Sequence, residues 1–171
     1  RLFMWLQKKS KIHGVGIIAS ENIKKGTKII EYIGEKVTKK EGDRRSEKRI
    51  RKYLGKKNQG SVYVFELNKK YDIDGSPKYN KARYINHSCS PNCEVNILKG
   101  HIWIVAIKNI KKEDELSYDY GYPFEKEDYE DHVCKCGSNN CIGYIISNDD
   151  WGKYKKHIKI IKAKMHDRKT N

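Results

Sequence analysis

Cys134, Cys136 and Cys141 stand in the run C-K-C-G-S-N-N-C, a C-x-C-x4-C spacing that puts three thiols within eight residues. No other feature restricts the fold of this chain as much. Structural zinc takes four thiolate or imidazole ligands in a tetrahedron, so three corners lie here and the fourth comes from elsewhere. The chain has five cysteines, an odd and clustered set, which favours metal binding or free thiols over a disulfide framework. Cys89 is the natural fourth ligand, because Cys93 lies past the turn at Pro91; spacing alone leaves His87 and His132 open. A metal clip between remote segments would order a short polar stretch with too little apolar surface to fold alone.

The second dense feature is Ala82 to Cys93, A-R-Y-I-N-H-S-C-S-P-N-C. It has neither helical nor strand periodicity, and Ser-Pro-Asn is turn chemistry. Amide, imidazole and thiol groups this close together, after the apolar entry Tyr84-Ile85, fit a loop held inside a site; on this stretch alone a surface turn with an incidental His and Cys fits equally well.

Length and composition set the frame. At 171 residues the chain fits one domain with a core that needs no disulfide staples. The hydrophobic fraction of 37% keeps it above the disordered regime, with 12 Tyr and 3 Trp to fill a core. No apolar run is long enough to cross a membrane, and Arg1 to Ser10 shows no signal-peptide pattern, so an intracellular protein is expected. The net charge of +15 predicts attraction to polyanions at low salt.

Along the chain, Phe3, Trp5 and Leu6 mark an aromatic arm or first strand, followed by the Gly14-x-Gly16 pair and a strand over Ile17 to Ala19. Asn22 to Gly26 reads as a turn and Thr27 to Ile33 as a strand ended by Gly34-Glu35. Thr38 to Lys57 is intensely charged; Ile50, Tyr53 and Leu54 fall at i, i+3, i+4 and predict a helix with a thin buried stripe and a solvated charged face. Val62 to Leu67 pairs with Tyr71 to Asp74, and Glu94 to Leu98 with His101 to Ile107 across Lys99-Gly100. A last short strand is expected at Glu115 to Ser117. Trp151, Tyr154, Ile158, Ile161 and Met165 predict an amphipathic basic helix capped near Asn148 to Asp150. No Gly-x-Gly-x-x-Gly opens a helix and no Gly-Lys-Ser/Thr loop occurs, so nucleotide folds lack their fingerprint. The sum is a mainly β fold of small sheets.

Four pieces occur in order: H-G-V-G from His13, E-Y-I-G-E from Glu31, R-Y-I-N-H-S-C-S-P-N-C from Arg83, and E-L-S-Y-D-Y-G-Y from Glu115, followed by the cysteine run. Together they resemble the SET-domain protein-lysine methyltransferases that carry a post-SET zinc segment, over roughly residues 10–146. The resemblance implies a β-clip fold with a threaded C-terminal pseudoknot, and a division into an arm (1–9), SET domain (10–124), acidic loop and post-SET segment (125–147) and basic helix (148–171). It implies S-adenosylmethionine and a target lysine entering a narrow channel from opposite faces. His13, Gly14, Val15, Gly16, Tyr63, Arg83, Asn86, His87 and Tyr120 then match cofactor contacts. Tyr120 matches the tyrosine beside the transferred methyl, Tyr32 a channel wall, and Tyr118 the position that sets methyl count, favouring mono- or dimethylation. Cys89, Cys134, Cys136 and Cys141 match the zinc ligands, and Tyr144 with Ile145 the residues covering the channel. Tyr84 departs from the usual phenylalanine, and no cysteine-rich segment precedes the first motif.

Glu125 to Asp131 sets five carboxylates against Lys126, leaving +19 on the remainder, so this block is expected to steer a basic lysine-containing peptide. A histone or histone-like protein is the leading substrate class, ribosomal proteins the second. The basic helix is a candidate nucleic-acid contact and a monomer is expected. The rival reading is a catalytically inactive, zinc-stapled module that binds nucleic acid by charge.

Overall fold

The computed structural model describes residues 3–53 and 62–167. Short apolar runs broken by Gly, Asn and Pro become ten short strands: β1 (Trp5–Lys9), β2 (Val15–Ala19), β3 (Lys28–Tyr32), β4 (Glu35–Thr38), then, after helix α1 (Lys39–Tyr53), β5 (Val64–Glu66), β6 (Tyr71–Asp74), β7 (Asn86–His87), β8 (Cys93–Leu98), β9 (His101–Ala106) and β10 (Ser117–Tyr118). Helix α2 (Trp151–Asp167) follows. Among the described residues the strands form four small sheets, β1-β2, β3-β9-β8, β4-β6-β5 and the parallel pair β7-β10, which is the mainly β architecture expected. No described helix is long and apolar enough to cross a membrane.

Local sequence accounts for most of these elements. The β8-β9 hairpin turns on Lys99 (φ 51°) and Gly100 (φ 79°), both left-handed as a two-residue turn matched to strand twist demands. The register of β3 on β9 slips between Lys28 and Ile30, and this extra residue lets Ile29 and Ile30 both point inward. Ile17, Ile85, Ile102, Ile104, Ile110 and Leu116 are essentially inaccessible and form the centre of the core. Each such side chain contributes about 1.5–3 kcal/mol on burial, more than enough to fix the strand faces.

Gly34 is where the chain leaves one sheet for another. A Cβ there would collide with the backbone carbonyl of Asp74, so only glycine allows the crossing. Beyond it β4 pairs with β6, Glu35 opposite Asp74. This strand was not expected, because Glu35-Lys36-Val37-Thr38 offers only Val37 to the core.

Helix α1 is held differently from the expectation. Ile50 is 48% exposed, so it belongs to no buried stripe; Leu54 lies outside the described residues. The contact face is charged instead. Arg45 donates to Glu35 (2.6 Å), Glu41 (2.7 Å) and buried Asp74 (2.9 Å), Lys39 reaches Asp72 at 2.6 Å, and Gly42 leaves room for that carboxylate. Buried carboxylates need such partners, and a cation on the helix supplies them where an apolar stripe could not.

Segment 115–118 lies in the fork of the Asn-His loop. Ser88 N–H donates to the Tyr118 carbonyl (3.2 Å) on one side. On the other, the Asn92 side chain donates to the Glu115 carbonyl (2.8 Å) and accepts from Ser117 N–H (2.9 Å).

Candidate active site

A row of aromatic rings runs through the fold beside this fork. Tyr32 meets Phe65 at 4.5 Å between centroids, Phe65 meets Tyr118 at 5.9 Å, Tyr118 meets Tyr120 at 5.0 Å and Tyr120 meets Tyr122 at 5.8 Å. The three expected tyrosines are thus brought together, although they come from β3, β10 and the segment after it. Tyr32 donates to the Tyr63 carbonyl (2.9 Å) and Tyr120 to the Ile85 carbonyl (3.0 Å), so both hydroxyls have fixed directions. Burial, then the neighbouring tyrosines, push Tyr32, Tyr118 and Tyr120 well above the ordinary value, and Tyr122 up to about 12. At neutral pH all four stay protonated; they can donate hydrogen bonds and exclude water but cannot serve as bases.

Asn86 organises the opposite edge. Its amide nitrogen, with two N–H groups, lies within hydrogen-bond reach of Glu115 Oε1 (2.9 Å), Ser10 Oγ (3.0 Å) and the carbonyls of His13 and Val15 (both 3.2 Å). Glu115 in turn accepts from Ser10 Oγ (2.6 Å) and Lys11 N–H (3.0 Å). The loop through His13, Gly14, Val15 and Gly16 is therefore clamped onto the Asn-His stretch. Gly14 has φ +54°, and a Cβ on Gly16 would stand 2.5 Å from Glu115 Oε1, so the clamp closes only over glycine. Gly14's backbone stays open, with nothing within 4 Å of its Cβ position.

Tyr63 lies under the guanidinium of Arg83 (4.0 Å) with Arg49 of α1 at 5.1 Å. Arg83 donates Nη1 to the Ser76 carbonyl, while its buried Nε has no protein partner. His87 points inward: Nδ1 accepts from Tyr120 N–H (3.2 Å) and Nε2 faces Cys89 Sγ (3.7 Å). Burial drives its pKa down to about 4, against a weaker pull from Asp119, so the ring is neutral.

Residues 14–121 match the SET domain family. The chain belongs to the SET-domain family. Among its relatives are proteins named histone-lysine N-methyltransferase, H3 lysine-4 specific, from Aspergillus oryzae (42% identical over 143 residues, 80% of this chain and 11% of the relative) and from Saccharomyces cerevisiae (38% over 141 residues, 80% and 13%). Histone-lysine N-methyltransferase 2D of Homo sapiens is 36% identical over 137 residues, 78% of this chain and 2% of the relative. The chain therefore spans only a small part of the length of these relatives.

The SET match ends before the cysteine run, and the fold itself joins the two. Sγ atoms of Cys89, Cys134, Cys136 and Cys141 all lie within 4.8 Å of one another. Cys89 is thus the fourth member, whereas Cys93 is in the core and the His132 ring packs on Tyr122 (5.3 Å). Burial and neighbouring sulfurs push Cys89 and Cys134 up; hydrogen bonds from Ser138 and from the Cys89 N–H outweigh burial and hold Cys136 down to about 6. Four sulfurs this close cannot all ionise without a cation among them, and their arrangement is one that could hold a metal ion.

Beyond the SET match, Tyr144 bridges to Val133 and packs on Tyr129 (4.9 Å) and on Tyr154 of α2 (6.0 Å). Three contributors were missed from the sequence: Phe65, Glu115 and Tyr122. Phe65 read as an ordinary strand residue. Glu115 carried a signal in Gly16, a strand glycine that marks a close approach by another group. Tyr122 lay only two residues beyond Tyr120.

Proposed function

We propose that this chain is an S-adenosylmethionine-dependent protein-lysine N-methyltransferase acting on a lysine of histone H3 or a similar basic tail, adding one or two methyl groups. The observation that carries the reading is the protonated aromatic row, with Tyr120 fixed by the Ile85 carbonyl next to the clamped 13–16 loop. The names of the relatives support the histone substrate, and a nuclear location with it.

The residues suit the cofactor. Gly14 leaves backbone open beside Asn86, and Arg83 keeps a buried donor free. His13, Gly14, Val15, Gly16, Tyr63, Arg83, Asn86, His87, Tyr120 and Tyr144 are the proposed contacts; His87 acts by holding the Tyr120 backbone. The cofactor, when bound, supplies an electrophilic methyl group on a cationic sulfur. The protein must deliver a neutral amine to it. Free lysine has a pKa of about 10.4, and the apolar walls of Tyr32, Phe65 and Tyr118 penalise its charged form. With no ionisable base in the row, the proton leaves to solvent. Tyr120 orients the amine, and alignment of this kind is worth up to about 7–11 kcal/mol of barrier.

Zinc suits the sulfur cluster. Tetrahedral zinc with Zn–S of about 2.3 Å sets the sulfurs about 3.8 Å apart. Cys89 Sγ lies 3.8 Å from Cys141 and 3.9 Å from Cys134. We assign residues 10–124 to the SET domain and 125–147 to the acidic loop and post-SET segment, whose Glu125, Glu127 and Asp128 steer the basic peptide. The decisive experiment incubates the chain with radiolabelled S-adenosylmethionine and separated histones. Label on H3 that disappears in Tyr120→Phe is expected; a chain that binds nucleic acid but transfers no label to any basic protein overturns the reading.

A further inference from the structure

Between Trp151 and Met165, α2 carries Lys153, Lys155, Lys156, Lys159, Lys162 and Lys164 and no carboxylate. Lysines three and four residues apart repel one another along a helix, a cost that bulk solubility does not require. All six are exposed, while Trp151, Tyr154, His157, Ile158 and Ile161 form the half-buried arc. That arc is docked. Tyr154 meets Phe124 (5.8 Å) and Tyr129 (5.6 Å), His157 meets Phe124 (5.4 Å), and Trp151 Nε1 donates to the Ile146 carbonyl (3.2 Å). The direction of the lysine arc is thereby fixed relative to the post-SET segment.

Across the docking seam lie Glu125, Glu127, Asp128, Glu130 and Asp131, all exposed. Two strips of opposite charge therefore sit side by side, held apart by an aromatic seam. Asp150 takes Lys153 (2.6 Å), and Lys155 rests over Trp151 (5.7 Å); Lys156, Lys159 and Lys162 are exposed. These three rise about 4.5 Å per step and wind about 60° around the helix axis at each, a slanting ridge of charge. The exposed arc presents no aromatic ring, and single-stranded nucleic acid is held chiefly by aromatic stacking. A regular polyphosphate surface matches what the arc offers.

We propose that α2 docks on the phosphate backbone of duplex DNA, so that the acidic strip beside it meets a basic peptide where that peptide leaves the DNA. The peptide half rests on the methyltransferase reading; the DNA half does not. The test titrates the 171-residue chain against a short labelled duplex of mixed sequence over a salt series, alongside Lys156→Glu/Lys159→Glu/Lys162→Glu and the matching Lys→Arg triple. The Glu triple should lose about tenfold or more in affinity and about one unit of log–log salt slope per lysine, while the Arg triple keeps both. Methyl transfer to DNA-wrapped histone should fall in parallel, with transfer to free H3 peptide unchanged. An unaltered slope in the Glu triple overturns the proposal, as does tighter wild-type binding to single-stranded RNA or to anionic vesicles than to duplex. Absence of transfer to every free peptide sinks the methyltransferase reading and the peptide half with it; the duplex half is decided by the titration alone.

Discussion

Gly75 lies against the ring of Tyr32, so close that a Cβ on Gly75 would overlap the ring carbons. The same Gly75 donates its N–H to the Tyr63 carbonyl (2.8 Å) that also receives the Tyr32 hydroxyl (2.9 Å), and its own carbonyl accepts from buried Asn80 (2.9 Å). Tyr32 is thus pinned at its ring by Gly75 and at its hydroxyl by Tyr63, two segments joined by their own hydrogen bond.

Gly75→Ala should displace the Tyr32 ring. Overpacking of this kind costs about 1–3 kcal/mol, and misplacement of a channel wall should lower turnover about tenfold or more. Thermal melts and single-turnover methylation check both; an alanine protein as stable and as active as the parent would refute the role of this contact.

Asp74 gives an acid limit to stability. Burial pushes its carboxyl up, but hydrogen bonds from Arg45 and Ser76 prevail and hold it below the ordinary value of 3.8. Because the folded pKa lies below the unfolded one, the stabilisation is complete above about pH 4 and is lost as pH falls through the folded value. Asp74→Asn should flatten this acid limb in urea titrations and cost about 2 kcal/mol at neutral pH, since Arg45 keeps Glu35 and Glu41.

Tyr118 is 6% exposed and stands between Phe65 and Tyr120. In the proposed channel a hydroxyl there can hold a water, which takes up space that further methyl groups on the substrate amine require. Tyr118→Phe should therefore raise the methyl count of the product; mass spectra with an unchanged distribution would defeat the assignment.

Removal of metal should act locally. A strong chelator, or Cys141→Ser, should release the 134–147 segment to hydrogen exchange and abolish transfer while the β3-β9-β8 sheet stays protected. Elemental analysis should find one zinc per chain, retained in Cys93→Ala because Cys93 belongs to the core.

What the sequence made legible was local chemistry. Asn86, His87 and Cys89 declared themselves because their neighbours have no other structural use, and the tyrosines around Asp119 because they are consecutive in a short motif. What it hid was long-range charge. Arg45 and Lys39 look like a solvated helix face, yet they are the attachment of α1, since nothing local reveals that Asp72 and Asp74 are buried opposite them. Glu115 is hidden in the same way, because its partners Ser10 and Asn86 are fixed only by tertiary structure. The strand at Glu35 was missed because its pairing with Asp74 depends on the glycine that precedes it.

The Ser10–Glu115 clamp spans 105 residues of chain. On a ribosome adding about 5–20 residues per second, Ser10 waits roughly 5–20 s before its partner is made. Until then the 13–16 loop and Asn86 have no carboxylate to share. Closure of the clamp is thus a late event in biosynthesis, and a nascent chain stalled before Glu115 would carry most of its core but neither the clamp carboxylate nor Tyr118 and Tyr120.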